Sequence, residues 1–123
     1  MNSNLHLGDV VLFKQGLYEI VQVDEKSETN RYKLLLLACI DSSKLTSLEK
    51  FIYVSDSNTL EIVSVNKPKF LQGDRVKYKG EFAIVRFVMV EGSRYEYQIG
   101  IQSGSRISKY DYITWVNEFE LSK

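Results

Sequence analysis

A single cysteine, a single histidine and a single proline stand among 123 residues. Cys39 alone excludes an internal disulfide and a multi-cysteine metal site. His6 is the only imidazole that could activate it, and it lies in the N-terminal lead-in, while Cys39 sits in an apolar strand-like run; a Cys–His nucleophile is not expected. No acidic pair stands at a spacing that suggests acid–base work, and no metal-ligand cluster is visible. Gly100-Ile101-Gln102-Ser103-Gly104-Ser105 lacks the lysine and following helix of a phosphate loop and reads as a connection between strands. These absences point away from an enzyme and imply neither cofactor nor metal.

Long apolar runs are also missing. The longest, Leu34–Ile40, is far short of the roughly 20 residues of a membrane helix. Met1-Asn2-Ser3-Asn4 has neither a basic region nor an apolar core, so a secretion signal is not expected and the cytoplasm is the expected location. Net charge is zero, but residues 1–64 hold six bases against nine acids and residues 65–123 ten against seven. This is a mild dipole, weaker than the basic footprint of a typical nucleic-acid binder.

What the chain does contain is a repeated pattern. Gly8-Asp9-Val10-Val11 leads into a strand, a turn at Gln15-Gly16 and a second strand; Gly73-Asp74-Arg75-Val76 opens the same order. In the first copy, strands are expected at Val10–Phe13 (with Val11 and Phe13 on one face), Tyr18–Val23 (with Val21 and Val23 facing the core), Arg31–Ile40, Phe51–Val54 and Leu60–Val63. In the second they are expected at Arg75–Tyr78, Phe82–Met89, Arg94–Ile101, Tyr110–Ile113 and Phe119–Leu121. Leu45 and Leu48, behind Asp41 and Ser42 as caps, predict one or two turns of helix within Asp41–Lys50. Matching Gly8 with Gly73, Ile20-Val21 with Ile84-Val85, Arg31-Tyr32 with Arg94-Tyr95 and Tyr53 with Tyr112 gives offsets of 65, 64, 63 and 59 residues. The expected organisation is an internal duplication: copy one at 1–64, a linker at 65–69 around Pro68, and copy two at 70–123, each closing its own apolar interior. Units this small are marginal alone, so burial between them should matter to stability.

Five short antiparallel strands, a tight first hairpin and a short turn before the last strand resemble the SH3-like small barrel. Within that group the chain looks most like KOW and Tudor-type modules, whose first strand often opens Gly-Asp-x-Val and whose second carries a β-branched pair, here Ile20-Val21 and Ile84-Val85. The resemblance implies an all-β fold of two tandem five-stranded SH3-like barrels with one short helical turn in the first. It also implies that Tyr95 and Tyr110 are candidates for an aromatic cage of the Tudor kind.

The two copies differ most in the third strand. Tyr95, Tyr97, Ile99 and Ile101 alternate with polar residues or glycine, whereas Leu35 and Leu37 make both faces of the first copy's strand apolar. The Leu45/Leu48 turn is the preferred cover for those leucines, with the other barrel or a second chain as alternatives. Trp115, aligned with Asp56 and expected in a loop, is either a binding anchor or a residue that packs between the barrels or onto its own hairpin. At least half of the second copy's tyrosines belong to the core.

Two functions are expected. The preferred one is a non-catalytic protein-binding module, an adaptor or an inhibitor that masks a partner's surface, using Trp115, Tyr110, Tyr97 and Tyr95 and acting as a monomer or weak homodimer. The size and composition suit a bacterial or phage accessory protein. The alternative is a nucleic-acid-binding module using Arg75, Lys77, Lys79, Arg86, Arg94 and Arg106, interleaved with Tyr78 and Tyr97.

Overall fold

A computed structural model describes residues 5–101 and 112–123. The fold is all-β, with ten strands and three short 3-10 turns among the described residues. The N-terminal half carries β1 (Val10–Phe13), β2 (Gly16–Val23), β3 (Tyr32–Cys39), β4 (Phe51–Val54) and β5 (Glu61–Ile62). The C-terminal half carries β6 (Arg75–Tyr78), β7 (Glu81–Glu91), β8 (Arg94–Ile101), β9 (Tyr112–Asn117) and β10 (Leu121–Ser122). Strand order is β5-β1-β2-β3-β4 in one half and β10-β6-β7-β8-β9 in the other, all antiparallel. One parallel bridge, Cys39 with Met89, joins β3 to β7 and makes the whole a single mixed sheet. The sheet does not close on itself among the described residues.

Local hydrogen bonding is the same in both halves. Gly8 N–H donates to Ile20 O and Ile20 N–H to Asp9 O; Gly73 N–H donates to Val85 O and Val85 N–H to Asp74 O. Each Asp also accepts from a backbone N–H three residues earlier, His6 and Leu71 respectively. The first hairpin turns on Lys14-Gln15 (φ 46° and 68°) and its counterpart on Lys79-Gly80 (φ 51° and 81°). Positive φ at both central residues is the geometry whose twist suits a two-residue β-hairpin. The expected turn at Gln15-Gly16 is therefore shifted by one residue. Gly16 begins β2, and a Cβ there would fall 2.5 Å from the Tyr18 ring.

These pairings revise the expected register. Ile20 pairs with Leu34 and Val85 with Ile99, so Val85, not Ile84, stands where Ile20 stands. The offset holds at 65 through the third strand, where Tyr32 faces Val23 as Tyr97 faces Val88. Val54 opposes Tyr32 as Val116 opposes Tyr97, and Tyr53 opposes Lys33 as Trp115 opposes Gln98. Trp115 thus corresponds to Tyr53 rather than Asp56, and it lies in a strand rather than a loop. Near the C-terminus, Leu121 is buried like Leu60, while Phe119, expected in a strand, is exposed on the 3-10 turn Glu118–Glu120.

A bulge explains the misassigned second strand. The β2–β3 register shifts between Ile20 and Gln22, and the β7–β8 register between Val85 and Phe87. The residues that the cross-strand register skips there are Val21 and Arg86. An extra residue reverses the alternation of faces, so Tyr18 and Ile20 point inward before the bulge and Val23 packs on that core after it. Val21, expected in the core, is the bulge residue itself.

The apolar interior is not two separate cores. One cluster, with Val11, Tyr18, Ile20, Leu34, Leu36 and Leu60, belongs to the N-terminal half. The other contains Val76, Val85, Val88, Tyr97, Ile99 and Val116 together with Val10, Leu17, Leu37 and Ala38 from the N-terminal half. The expectation that each half closes its own interior is therefore corrected. The outer face of the N-terminal sheet fills the C-terminal core, because its leucines would otherwise face water. That seam covers Leu37, and burial of such a side chain contributes about 1.5–3 kcal/mol. The expected helix is only a 3-10 turn at Ser42–Lys44, capped as anticipated by Asp41, which accepts from Ser43 N–H. Leu48 packs on the N-terminal core instead of covering Leu37.

Relieving the left-handed backbone at Gln15 tests the turn assignment. Gln15→Gly is expected to raise unfolding free energy by about 1 kcal/mol, and Gly80→Gln to lower it by about as much, in urea titrations.

Candidate functional site

Alternation along β8 and β9 sorts the expected site residues into two groups. Tyr95, Tyr97, Ile99 and Val116 face inward and are buried. Glu96, Gln98, Ile113 and Trp115 face outward, because each is paired across the sheet with a neighbour on the same side. Tyr97, expected on the binding face, is fully buried. Its hydroxyl donates to Glu118 Oε1 at 2.6 Å, and its ring meets Phe70 edge to face at 5.6 Å. Tyr95 is likewise buried, and its hydroxyl donates to Asn66 O. Glu118 Oε1 also accepts from Lys69 N–H at 2.6 Å. The two tyrosines thus pin the segment around Pro68 to the C-terminal half, which their alternation alone allowed and their hydroxyls require. Tyr110 lies outside the described residues.

Trp115 is 39% exposed, on the outer face of β9. Ile113 stands two residues away on the same strand, opposite Gly100, whose other neighbour is Ile84 on β7. Phe82 of β7 is 71% exposed and opposes Lys77 of β6. The outer face therefore carries apolar side chains from β7 to β9. Beside Trp115 a groove of about 290 Å³ is lined by Met89, Glu91 and Glu96 of the β7–β8 hairpin and Ser42 of the N-terminal half. Of these residues only Trp115 was expected at a site. Continuing the alternation of Ile113 and Trp115 past the expected end of that strand would have found the exposed pair.

Among the described residues, the expected basic residues do not form one patch. Arg75 and Lys77 are exposed on β6 beside Ile84 and Phe82, and Lys77 Nζ lies 5.3 Å from the Phe82 ring centre. Lys79 is in the hairpin turn, over Tyr78 at 5.2 Å. Arg86 is the half-buried bulge residue; it donates to Gln98 Oε1 at 2.8 Å and stacks on Phe87. Arg94 is at the opposite end, paired across the hairpin with Glu91. Arg106 lies outside the described residues. The outer face is thus basic toward β6 and acidic toward the tip of the β7–β8 hairpin.

No helix among the described residues is long and apolar enough to cross a membrane. No family model, no curated protein and no solved structure matches the chain.

Burial and the Glu118 carboxylate together raise the Tyr97 phenol above its ordinary value of 10.0, and burial raises Tyr18 and Tyr95 as well. A phenol raised in the folded state contributes stability that is fully present below its unfolded value and lost as pH climbs toward the folded one. Stability should therefore fall as pH rises above about 10. Tyr97→Phe should reduce that slope and, by removing a hydrogen bond to a charged group, lower stability at neutral pH by about 1.5–3 kcal/mol. Urea titrations at stepped pH check both.

Proposed function

We propose that the protein is a non-catalytic protein-binding module built from two SH3-like units that arose by internal duplication, working in the cytoplasm as an adaptor or as an inhibitor that masks a partner's surface. The shared strand order and the matching Gly-Asp hydrogen bonds of the two halves support the duplication. The observation that carries the binding reading is the outer face of the C-terminal half, where Trp115, Ile113 and Phe82 stay exposed on a paired, rigid sheet. Exposed aromatic and aliphatic side chains held on fixed backbone are the anchors from which interfaces draw most of their energy. Tyr95 and Tyr97 serve this face from behind, by fixing the strand on which Gln98 and Glu96 stand.

Trp115→Ala is expected to leave the far-UV circular dichroism unchanged and to cut partner capture from a lysate of the native host by about tenfold or more. Unchanged capture would remove Trp115 from the interface, and loss of folding would reassign it to the core.

A second reading, nucleic-acid binding, draws on exposed Arg75 and Lys77 beside Phe82. Glu91 and Glu96 on the same face weigh against a long phosphate track. Titration against single- and double-stranded DNA and RNA decides between them: a log–log salt slope steeper than about −3 favours nucleic acid, and no retention at low salt removes it.

A further inference from the structure

The two halves treat the same outer-face position differently. In the N-terminal half, Lys33 stands opposite Tyr53, and its Nζ lies 4.7 Å from the Phe51 ring centre and 6.0 Å from that of Tyr53. The aromatic pair there is covered by a cation of its own chain. In the C-terminal half, Trp115 takes the place of Tyr53 and Gln98 the place of Lys33. Gln98 is neutral and accepts from Arg86, which stacks on Phe87 and does not line the groove beside Trp115. Among the described residues no cation lies over Trp115.

The surrounding charges are reversed as well. Glu91 and Glu96 line the Trp115 groove, where the same count along the N-terminal half falls on Lys26 and Arg31. Neither carboxylate is in an ion pair among the described residues, including with Arg94, the cross-strand partner of Glu91. The remaining liners among the described residues are Met89 and Ser42, so of these residues the groove offers an indole, a thioether, a hydroxyl and two carboxylates, with no base. An aromatic ring with two carboxylates on one rim attracts a cation whose apolar stem can lie on the ring.

We propose that this groove, on the binding face proposed above, receives an arginine or lysine side chain from a basic segment of a partner protein, so that Trp115 gains from outside the kind of cation contact that Tyr53 has from Lys33 of its own chain. The guanidinium or ammonium would lie over Trp115 with Glu91 and Glu96 at its edge, and the methylene stem would run along Met89. Arginine is the better occupant, because its planar group both stacks on an indole and meets a carboxylate in a fork.

The chain's one tryptophan makes the groove directly readable. The full-length protein is titrated at low ionic strength with an acetylated, amidated Gly-Arg-Gly-Arg-Gly peptide and, in parallel, with the same peptide carrying neutral citrulline for arginine, following Trp115 fluorescence. A saturable change with the arginine peptide and none with citrulline is expected. The double variant Glu91→Gln with Glu96→Gln, folded by circular dichroism, should bind about fivefold more weakly, as loss of two exposed charges implies. No saturable change, or an equal response to citrulline or in the double variant, would overturn the proposal. Concentration-dependent self-association that the double variant abolishes would overturn it in favour of a second copy of this chain. If partner capture depends on Trp115 while the peptide fails, the cation assignment falls and the protein-binding reading stands. If the peptide binds while capture ignores Trp115, the reverse holds.

Discussion

Burial of the N-terminal sheet's outer face in the C-terminal core is the constraint on which the rest depends. Val10, Leu17, Leu37 and Ala38 are on strands that also close the N-terminal interior with their alternate residues, Val11, Tyr18 and Leu36 among them. A strand buried on both faces reads as a continuous apolar run, and the Leu34–Cys39 stretch is that run. Each half of about 60 residues is near the size at which a lone core ceases to suffice. Filling one core with the back of the other sheet offsets that deficit. The Cys39–Met89 bridge adds a backbone link at the same seam.

The segment between the halves is held by polar contacts that suit the same geometry. Glu118 accepts from both Tyr97 and Lys69, Tyr95 donates to Asn66, and Lys67 pairs with Glu19 at 3.3 Å. The backbone around Pro68 is thus tied to both halves. With the inner face of β8 and β9 committed to this core, the proposed recognition falls to their outer residues. Trp115, Glu96 and Gln98 are consequently presented on strands whose positions are fixed from behind, so a partner would meet a surface that needs little ordering.

Much of the strand plan was legible from alternation. β1, β4, β6 and β8 fall at the expected boundaries. What escaped was governed by single-residue irregularities. Bulges at Val21 and Arg86 reverse the faces without changing composition, so alternation places Val21 in the core, and matching the two Ile-Val pairs by residue type lowers the offset to 64 at Ile20 where the pairing keeps 65. Equal composition also hid Trp115: the strand was expected to stop at Ile113, which placed the indole in a loop and aligned it with Asp56 instead of Tyr53. The tyrosine hydroxyls could not be traced from sequence, since their partners Asn66 and Glu118 are 29 and 21 residues away. The acidic groove was illegible for the same reason, because it joins a hairpin, a distant strand and Ser42 of the other half.

Coupling across the seam is tested most directly by urea unfolding of Leu37→Ala, with Trp115 fluorescence as the reporter. Leu37 belongs to the N-terminal half and Trp115 to the C-terminal half. A shared core requires the fluorescence transition to coincide with loss of circular dichroism and to lose about 2–5 kcal/mol on the substitution. An unmoved Trp115 midpoint, with the circular dichroism split into two steps, would contradict it.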